Sequence, residues 1–145
     1  MRTGKKAKES HSKEHFASLG QRSVRLFHIN VGSCNGCDIE VCALRMFDYE
    51  FVDDPKTADV IIACGAVTKP IRPILEQILN KTQNIPLAAV GTCAISGRVF
   101  NGERVLGPID AFTPTKVYVF GCPPRPKEIM KGISMALKQG GSCCV

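Results

Sequence analysis

The sequence contains no tryptophan, and aromatic residues make up only 6% of its 145 residues. A surface that stacks the bases of single-stranded nucleic acid needs aromatic side chains, so such a surface is not expected. The longest apolar runs, residues 60–64 and 85–90, are far shorter than the roughly 20 residues of a membrane-spanning helix. A secretory signal is also missing, because no apolar segment follows the basic residues near the start of the chain. We predict that the chain has no membrane span of its own and meets a membrane only through a partner.

Positive charge is concentrated at the beginning of the chain. Residues 1–25 contain seven basic and two acidic side chains, which account for nearly all of the net charge of +6. We predict that residues 1–22 form a flexible basic arm that is solvated or docks on a partner, with a nucleic-acid arm as the alternative. Residues 23–140 are long enough for one domain with its own core. Residues 141–145 are predicted to be a C-terminal tail.

Short apolar runs alternate with helical patterns along residues 23–140. The runs predict strands at residues 24–31, 49–52, 58–64, 85–90 and 116–120. Helices are predicted after Asp38 as N-cap, after Pro70 and from Pro126. The expected buried stripes are Ile39, Cys42, Ala43 and Met46 in the first helix, and Ile71, Ile74, Leu75, Ile78 and Leu79 in the second. This order predicts an α/β fold of flavodoxin-like type, with a mainly parallel sheet and helices on both faces.

Eight cysteines in a chain without a secretory signal indicate metal binding or redox chemistry rather than a disulfide framework. Four of them lie in loops rich in Gly, Pro or Ser that follow predicted strands: Cys34, Cys37, Cys93 and Cys122. Parallel strands all end at the same edge of a sheet, so these loops are expected to meet at the carboxyl edge. Four thiolates converging on one point form a metal site, for which an iron–sulfur cluster is the best candidate.

Two other uses of these cysteines remain open. Structural zinc sites usually combine two compact C-x-x-C pairs, whereas here the single pair is joined by cysteines 56 and 85 positions beyond Cys37. This dispersal favours a cluster over zinc. A redox-active C-x-x-C dithiol is the third reading, and it leaves Cys93 and Cys122 unexplained.

The remaining candidates have separate predictions. Cys42 is expected to be a buried structural cysteine, and Cys64 is the one competing ligand because it ends a strand at the same edge. Cys143 and Cys144 are assigned no role. Glu40 opens a helix beside the expected cluster, where it either manages a proton or charge or complements the helix dipole. His28 is predicted to be a packing residue rather than a ligand.

Three sequence motifs together carry a family resemblance. They are Cys34-Asn35-Gly36-Cys37-Asp38-Ile39-Glu40, Gly91-Thr92-Cys93-Ala94 and Gly121-Cys122-Pro123-Pro124-Arg125-Pro126. Together they resemble the small subunit of energy-converting, membrane-bound [NiFe] hydrogenases, and the related complex I subunit that carries the terminal cluster. Complex I-type subunits have two adjacent cysteines in the first loop, whereas this chain has the hydrogenase form.

The resemblance implies a flavodoxin-like domain that holds one [4Fe–4S] cluster through Cys34, Cys37, Cys93 and Cys122. It further implies an oxidoreductase subunit that relays electrons between ferredoxin-side clusters and the [NiFe] site of a large subunit. The implied partners are that large subunit, a ferredoxin-type iron–sulfur subunit and antiporter-like membrane subunits that move ions, with no nucleic acid. The implied location is the cytoplasmic side of the membrane, at its periphery. The alternative is the same subunit in a nickel-free, complex I-like quinone or sulfur reductase.

Overall fold

The structure of the protein is a computed structural model that describes residues 23–100, 102–138 and 143–144. The basic arm predicted at residues 1–22 and most of the tail predicted at residues 141–145 lie outside the described residues.

One parallel sheet forms the centre of the domain. Its strands are β1 (Val24–Gly32), β2 (Tyr49–Phe51), β3 (Val60–Gly65), β5 (Leu87–Val90), β7 (Val117–Val119) and β8 (Cys143–Cys144). They are arranged β2-β1-β3-β5-β7-β8, and every pairing is parallel. Strands β4 (Val67–Thr68) and β6 (Val105–Gly107) make a separate antiparallel ribbon. The five predicted strands are confirmed, whereas β4, β6 and β8 were not predicted.

The first five strands of the sheet follow the flavodoxin-like order, which confirms the predicted fold. In this order the chain moves outward from β1 to β2 and then returns to β3 on the other side, so the topological switch point lies between β1 and β3. A crevice opens at such a point beyond the carboxyl ends of the strands, and ligands of open α/β sheets bind there.

Helices cover both faces of the sheet, as predicted. They are α1 (Gly36–Cys42), which continues into a 3₁₀ turn at Ala43–Met46, α2 (Arg72–Lys81), α3 (Thr92–Ser96) and α4 (Pro126–Leu137). Further 3₁₀ turns lie at Pro55–Thr57 and Ile109–Ala111. Helices α1 and α4 pack on one face, and α2 and α3 pack on the other. Within the described ranges, no helix has the length and apolarity needed to cross a membrane.

Burial against the sheet stabilises these short helices. Isolated helices of fewer than about 12 residues are marginal in water, so α1 and α3 depend on tertiary packing. Strand β3 is buried along its whole length, which explains its uninterrupted apolar sequence. Leu44 and Ile129 pack on one face, and Leu75 packs on the other, each without exposed surface. Burying a side chain of this size contributes about 1.5–3 kcal/mol.

The first helix differs from its prediction at its start. Helix α1 begins at Gly36 with Asn35 as N-cap, whereas Asp38 was predicted as the N-cap. Asn35 has a φ of 71°, a left-handed conformation that asparagine tolerates better than most residues. Asp38 instead lies in the first turn, where its negative charge complements the helix dipole.

The predicted buried stripe of α1 is also wrong. Ile39 is 69% exposed, Met46 is 82% exposed and Cys42 is exposed, while Val41 and Leu44 are buried. This segment is apolar on two sides, so its periodicity permits either side to face inward. Contact with the sheet selects the side that carries Val41 and Leu44.

Helix α2 shows one smaller departure from its prediction. Leu75 is fully buried, but Ile74 is 52% exposed and lies outside the apolar contact with the sheet.

Candidate metal centre

The loop that carries Cys34 and Cys37 is held by hydrogen bonds from polar side chains on both sides of it. Asn30 Oδ1 accepts from the backbone N–H groups of Gly32 at 3.0 Å and Ser33 at 2.8 Å. The Ser33 hydroxyl accepts from the N–H of Asn35 at 2.9 Å and donates to Asp38 Oδ2. These bonds fix the loop between its entry from β1 and the first turn of α1, and so they orient both cysteines.

The loops that carry Cys93 and Cys122 are bonded to each other. The backbone N–H of Thr92 donates to the carbonyl oxygen of Gly121 at 2.9 Å, and the Thr92 hydroxyl donates to the same oxygen at 3.1 Å. Cys93 and Cys122 each lie one residue beyond these partners. The double contact therefore sets their relative position.

The three loops converge at the carboxyl edge of the sheet. The Cys37 thiol interacts electrostatically with the thiols of the other three predicted ligands, and the Cys93 thiol interacts with those of Cys34 and Cys122. A Cβ built at Gly36 would lie 3.6 Å from Cys34 Sγ and 3.9 Å from the ring of Pro123, so the first and last loops lie next to each other. The structure thus brings together one set of four thiols, here called the cysteine quartet: Cys34, Cys37, Cys93 and Cys122.

Gly91 forms part of the wall around the quartet. Its φ of +93° and ψ of 155° define a conformation that is essentially restricted to glycine. A Cβ built there would lie 2.4 Å from Cys37 Sγ, well inside van der Waals contact. The space that this sulfur needs exists only because residue 91 has no side chain.

Burial and the neighbouring thiols favour the protonated forms of Cys37 and Cys93 in the absence of metal. Burial, followed by the nearby Cys93 thiol, raises the pKa of Cys37 to about 11. Burial likewise raises the pKa of Cys93, with Cys122 as the next contribution. Metals bind thiolates, so loading the site releases protons. Four soft sulfur donors on neighbouring loops fit an iron–sulfur cluster, whose ligands bind different corners of the group.

Cys64, the predicted competitor, lies deeper than the loops. Its side chain has no exposed surface and packs with Val41 and Val90 in the core. Burial strongly raises the pKa of the Cys64 thiol. Asp38 and His28 lie beside it, with one potential ligand atom from each of the three residues within 4.8 Å of the others.

The pairing of His28 with Asp38 was missed in the sequence. His28 Nε2 lies 2.9 Å from Asp38 Oδ1, and both side chains are largely buried. Burial lowers the pKa of His28, and the Asp38 carboxylate opposes that shift. The alternation of side chains between the two faces of β1 could have indicated which face carries His28, because His28 and Leu26 are two residues apart and share a face of the sheet.

The side chain of Glu40, the other charged candidate of the first loop and helix, is half-buried in α1.

A separate pocket lies at the opposite, amino edge of the sheet. Its lining includes Pro86, Lys116 and Leu137, which lie near the starts of β5 and β7 and the end of α4. This pocket is remote from the cysteine quartet, which lies where the strands end.

Comparisons with known proteins agree with the fold and the motifs. The family model described as the 20 kDa subunit of NADH ubiquinone oxidoreductase matches residues 34–136. A probable membrane-bound hydrogenase subunit of Pyrococcus furiosus is 35% identical over 127 residues, which cover 81% of this chain and 76% of that protein. An uncharacterised protein of Methanocaldococcus jannaschii is 39% identical over 121 residues, which cover 78% of this chain and 82% of that protein.

A solved structure shares the fold. It is a chain of the membrane-bound sulfane sulfur reductase, an archaeal respiratory membrane complex, with a TM-score of 0.66 and 21% sequence identity. The match covers 89% of this chain and 80% of that chain. The chain described here therefore belongs to the NADH ubiquinone oxidoreductase 20 kDa subunit family and is a subunit of an oxidoreductase.

Proposed function

We propose that this chain is the electron-transfer subunit of a membrane-bound, ion-pumping [NiFe] hydrogenase. The cysteine quartet would hold one [4Fe–4S] cluster proximal to the [NiFe] site of a partner large subunit. A ferredoxin-type iron–sulfur subunit would exchange electrons on the other side, and antiporter-like membrane subunits would move ions. The chain would bind at the cytoplasmic side of the membrane as a peripheral subunit of this complex.

The convergence of the cysteine quartet is the observation that supports this proposal most directly. When bound, such a cluster transfers single electrons. The quartet supplies all four ligands, so the chain's residues would hold and enclose the group without leaving a position for substrate. The loop contacts of Ser33 and Thr92 would fix the ligands, and Gly91 would leave room for Cys37 Sγ. The role of the chain is therefore to relay electrons, and catalysis requires the large subunit.

The first cysteine loop supports the hydrogenase assignment. It reads Cys34-Asn35-Gly36-Cys37, the form that resembles hydrogenase small subunits, and not the adjacent pair of the complex I type. The name of the Pyrococcus furiosus relative, a probable membrane-bound hydrogenase subunit, agrees with this choice.

The second candidate is the same cluster subunit in a nickel-free, complex I-like quinone or sulfur/polysulfide reductase. It is supported by the family's description as a subunit of NADH ubiquinone oxidoreductase. Both candidates use the cysteine quartet in the same way and differ in the metal of the partner subunit.

The metal content of the intact complex tests both candidates. The complex is isolated anaerobically with this chain as bait, and nickel, iron, zinc and sulfide are measured per chain. Nickel with abundant iron and sulfide supports the hydrogenase, and iron and sulfide without nickel support the second candidate. Zinc in place of iron and sulfide would refute both.

Single cysteine variants test the ligand set. We expect Cys93→Ser to lower bound iron and sulfide, because it removes one of the four thiolates. Cys64→Ser is the matched variant, a buried cysteine outside the quartet, and it should retain iron and sulfide near the wild-type amounts. The reverse pattern would overturn the assignment of the quartet.

A further inference from the structure

We propose that His28, Asp38 and Cys64, here called the His28 cluster, form a second metal site that binds a zinc ion. This site is separate from the cysteine quartet, and its three ligands differ in chemistry. The proposal does not depend on which metal the partner subunit carries.

The fold brings the three side chains together at the switch point between β1 and β3. Asn30 pairs with Cys64 and His28 pairs with Ile62 in the parallel register of these strands. His28 and Cys64 are therefore diagonal neighbours on one face of the sheet. Asp38 approaches this face from the first turn of α1, and a ligand atom from each residue lies within 4.8 Å of the others.

The two buried polar atoms of the His28 cluster face each other. His28 Nε2 and Asp38 Oδ1 lie 2.9 Å apart as an ion pair, and both atoms are buried. Neither atom has a further hydrogen-bond partner among the described residues. Imidazole nitrogen and carboxylate oxygen are both zinc ligands, so the two atoms are placed to contact one cation.

The other oxygen of Asp38 is already engaged. Asp38 Oδ2 accepts from the Ser33 hydroxyl and from Asn30 Nδ2, the latter at 3.2 Å. This leaves Oδ1 directed toward His28. Metal-binding carboxylates are commonly held in this way by a second set of hydrogen bonds, which fixes the ligand atom. The arrangement around Asp38 is thus that of an oriented ligand.

The donor set matches the preferences of Zn²⁺. Zinc binds thiolate, imidazole and carboxylate at about 2.0–2.3 Å, with four ligands in a tetrahedron. These distances place ligand atoms roughly 3.3–3.8 Å apart, so side-chain shifts of about 1 Å or less would close the site. Three protein ligands leave the fourth position for a water molecule that would enter with the ion. The His28 and Asp38 side chains are 19% and 14% exposed, so the site lies near the surface although its ligand atoms are covered. Cys64 has no exposed surface and would form the floor of the site.

Metal analysis of the cluster-loaded protein tests the site. The protein, purified anaerobically, is dialysed against Zn²⁺ and freed of loose metal, and zinc, iron and sulfide are measured in the same sample. We expect about one zinc per chain in addition to iron and sulfide. His28→Gln and Cys64→Ser should weaken zinc binding tenfold or more without lowering iron. Cys42→Ser is the control: it changes an exposed cysteine in α1, the helix that carries Asp38, and should retain zinc.

X-ray absorption at the zinc edge identifies the site that is occupied. Zinc in the His28 cluster has one sulfur neighbour at about 2.3 Å and nitrogen or oxygen neighbours at about 2.0–2.2 Å. Zinc in the cysteine quartet has four sulfur neighbours. A four-sulfur shell, retention of zinc by His28→Gln, or no zinc in the cluster-loaded wild type would each overturn the proposal. Iron and sulfide are scored separately, so these results are distinct from a failure of the proposed electron-transfer function.

Discussion

Replacing Gly91 by alanine should selectively disable the cysteine quartet. The new Cβ would lie 2.4 Å from Cys37 Sγ. Carbon and sulfur in contact need at least about 3.5 Å, so the sulfur or the backbone must move by about 1 Å. Metal–ligand distances tolerate only about 0.2 Å. We therefore expect the Gly91→Ala variant to bind much less iron and sulfide than the wild type.

The same substitution also strains the backbone. Alanine at a φ of +93° and ψ of 155° costs about 1–3 kcal/mol. For a domain of this size that corresponds to a fall in Tm of roughly 4–12 °C. A loss of iron could therefore follow from general destabilisation, and a matched variant is needed to separate the two effects.

Gly107→Ala is that variant. Gly107 has a φ of +136°, but a Cβ built there has no neighbour within 4 Å among the described residues. It should show backbone strain of the same order without moving a ligand. Iron and sulfide per chain and Tm are measured for both proteins after anaerobic reconstitution. Wild-type iron in Gly91→Ala, or an equal loss of iron in Gly107→Ala, would refute the steric explanation.

Three further outcomes are expected. Gly132→Ala places a Cβ 2.5 Å from Val119 Cγ2 and should lower the free energy of unfolding by about 1–3 kcal/mol in a denaturant titration, with iron binding retained by the folded protein. In the metal-free protein the pKa of Cys37 is raised from 9.0 to about 11, so the folded state holds this proton longer than the unfolded state. The free energy of unfolding should therefore fall between about pH 9 and pH 11, and Cys37→Ser should flatten that part of the profile; an unchanged slope would contradict the shift. Iodoacetamide should label the exposed Cys42 of the folded, loaded protein and leave the buried Cys64 unmodified, as read by peptide mass spectrometry. Preferential labelling of Cys64 would contradict the exposure of Cys42 and the burial of Cys64.

Strands were predicted more reliably than the orientation of the first helix. The strand residues 60–65 are apolar without interruption, which is typical of a strand covered on both faces. Helix α1 has apolar residues on two sides. Its periodicity could not show that Val41 faces the sheet while Met46 faces outward.

The location of the candidate site was likewise predictable from the sequence only in part. The loops with cysteines could be located because glycines and prolines interrupt the chain after each apolar run. The parallel order of strands then placed those loops at one edge. The short strand β8 was not predicted, because two residues at the end of a chain carry no periodic signal.

Local patterns of apolar and turn-forming residues were enough to predict the flavodoxin-like fold and the loops that carry the four cysteines. Three other features depend on the tertiary structure. It selected the buried side of α1, brought Gly91 against Cys37 Sγ, and placed His28 beside Asp38 and Cys64. These contacts join segments that are distant in the chain, and they depend on strand register and helix rotation. Short-range patterning fixes neither of those quantities.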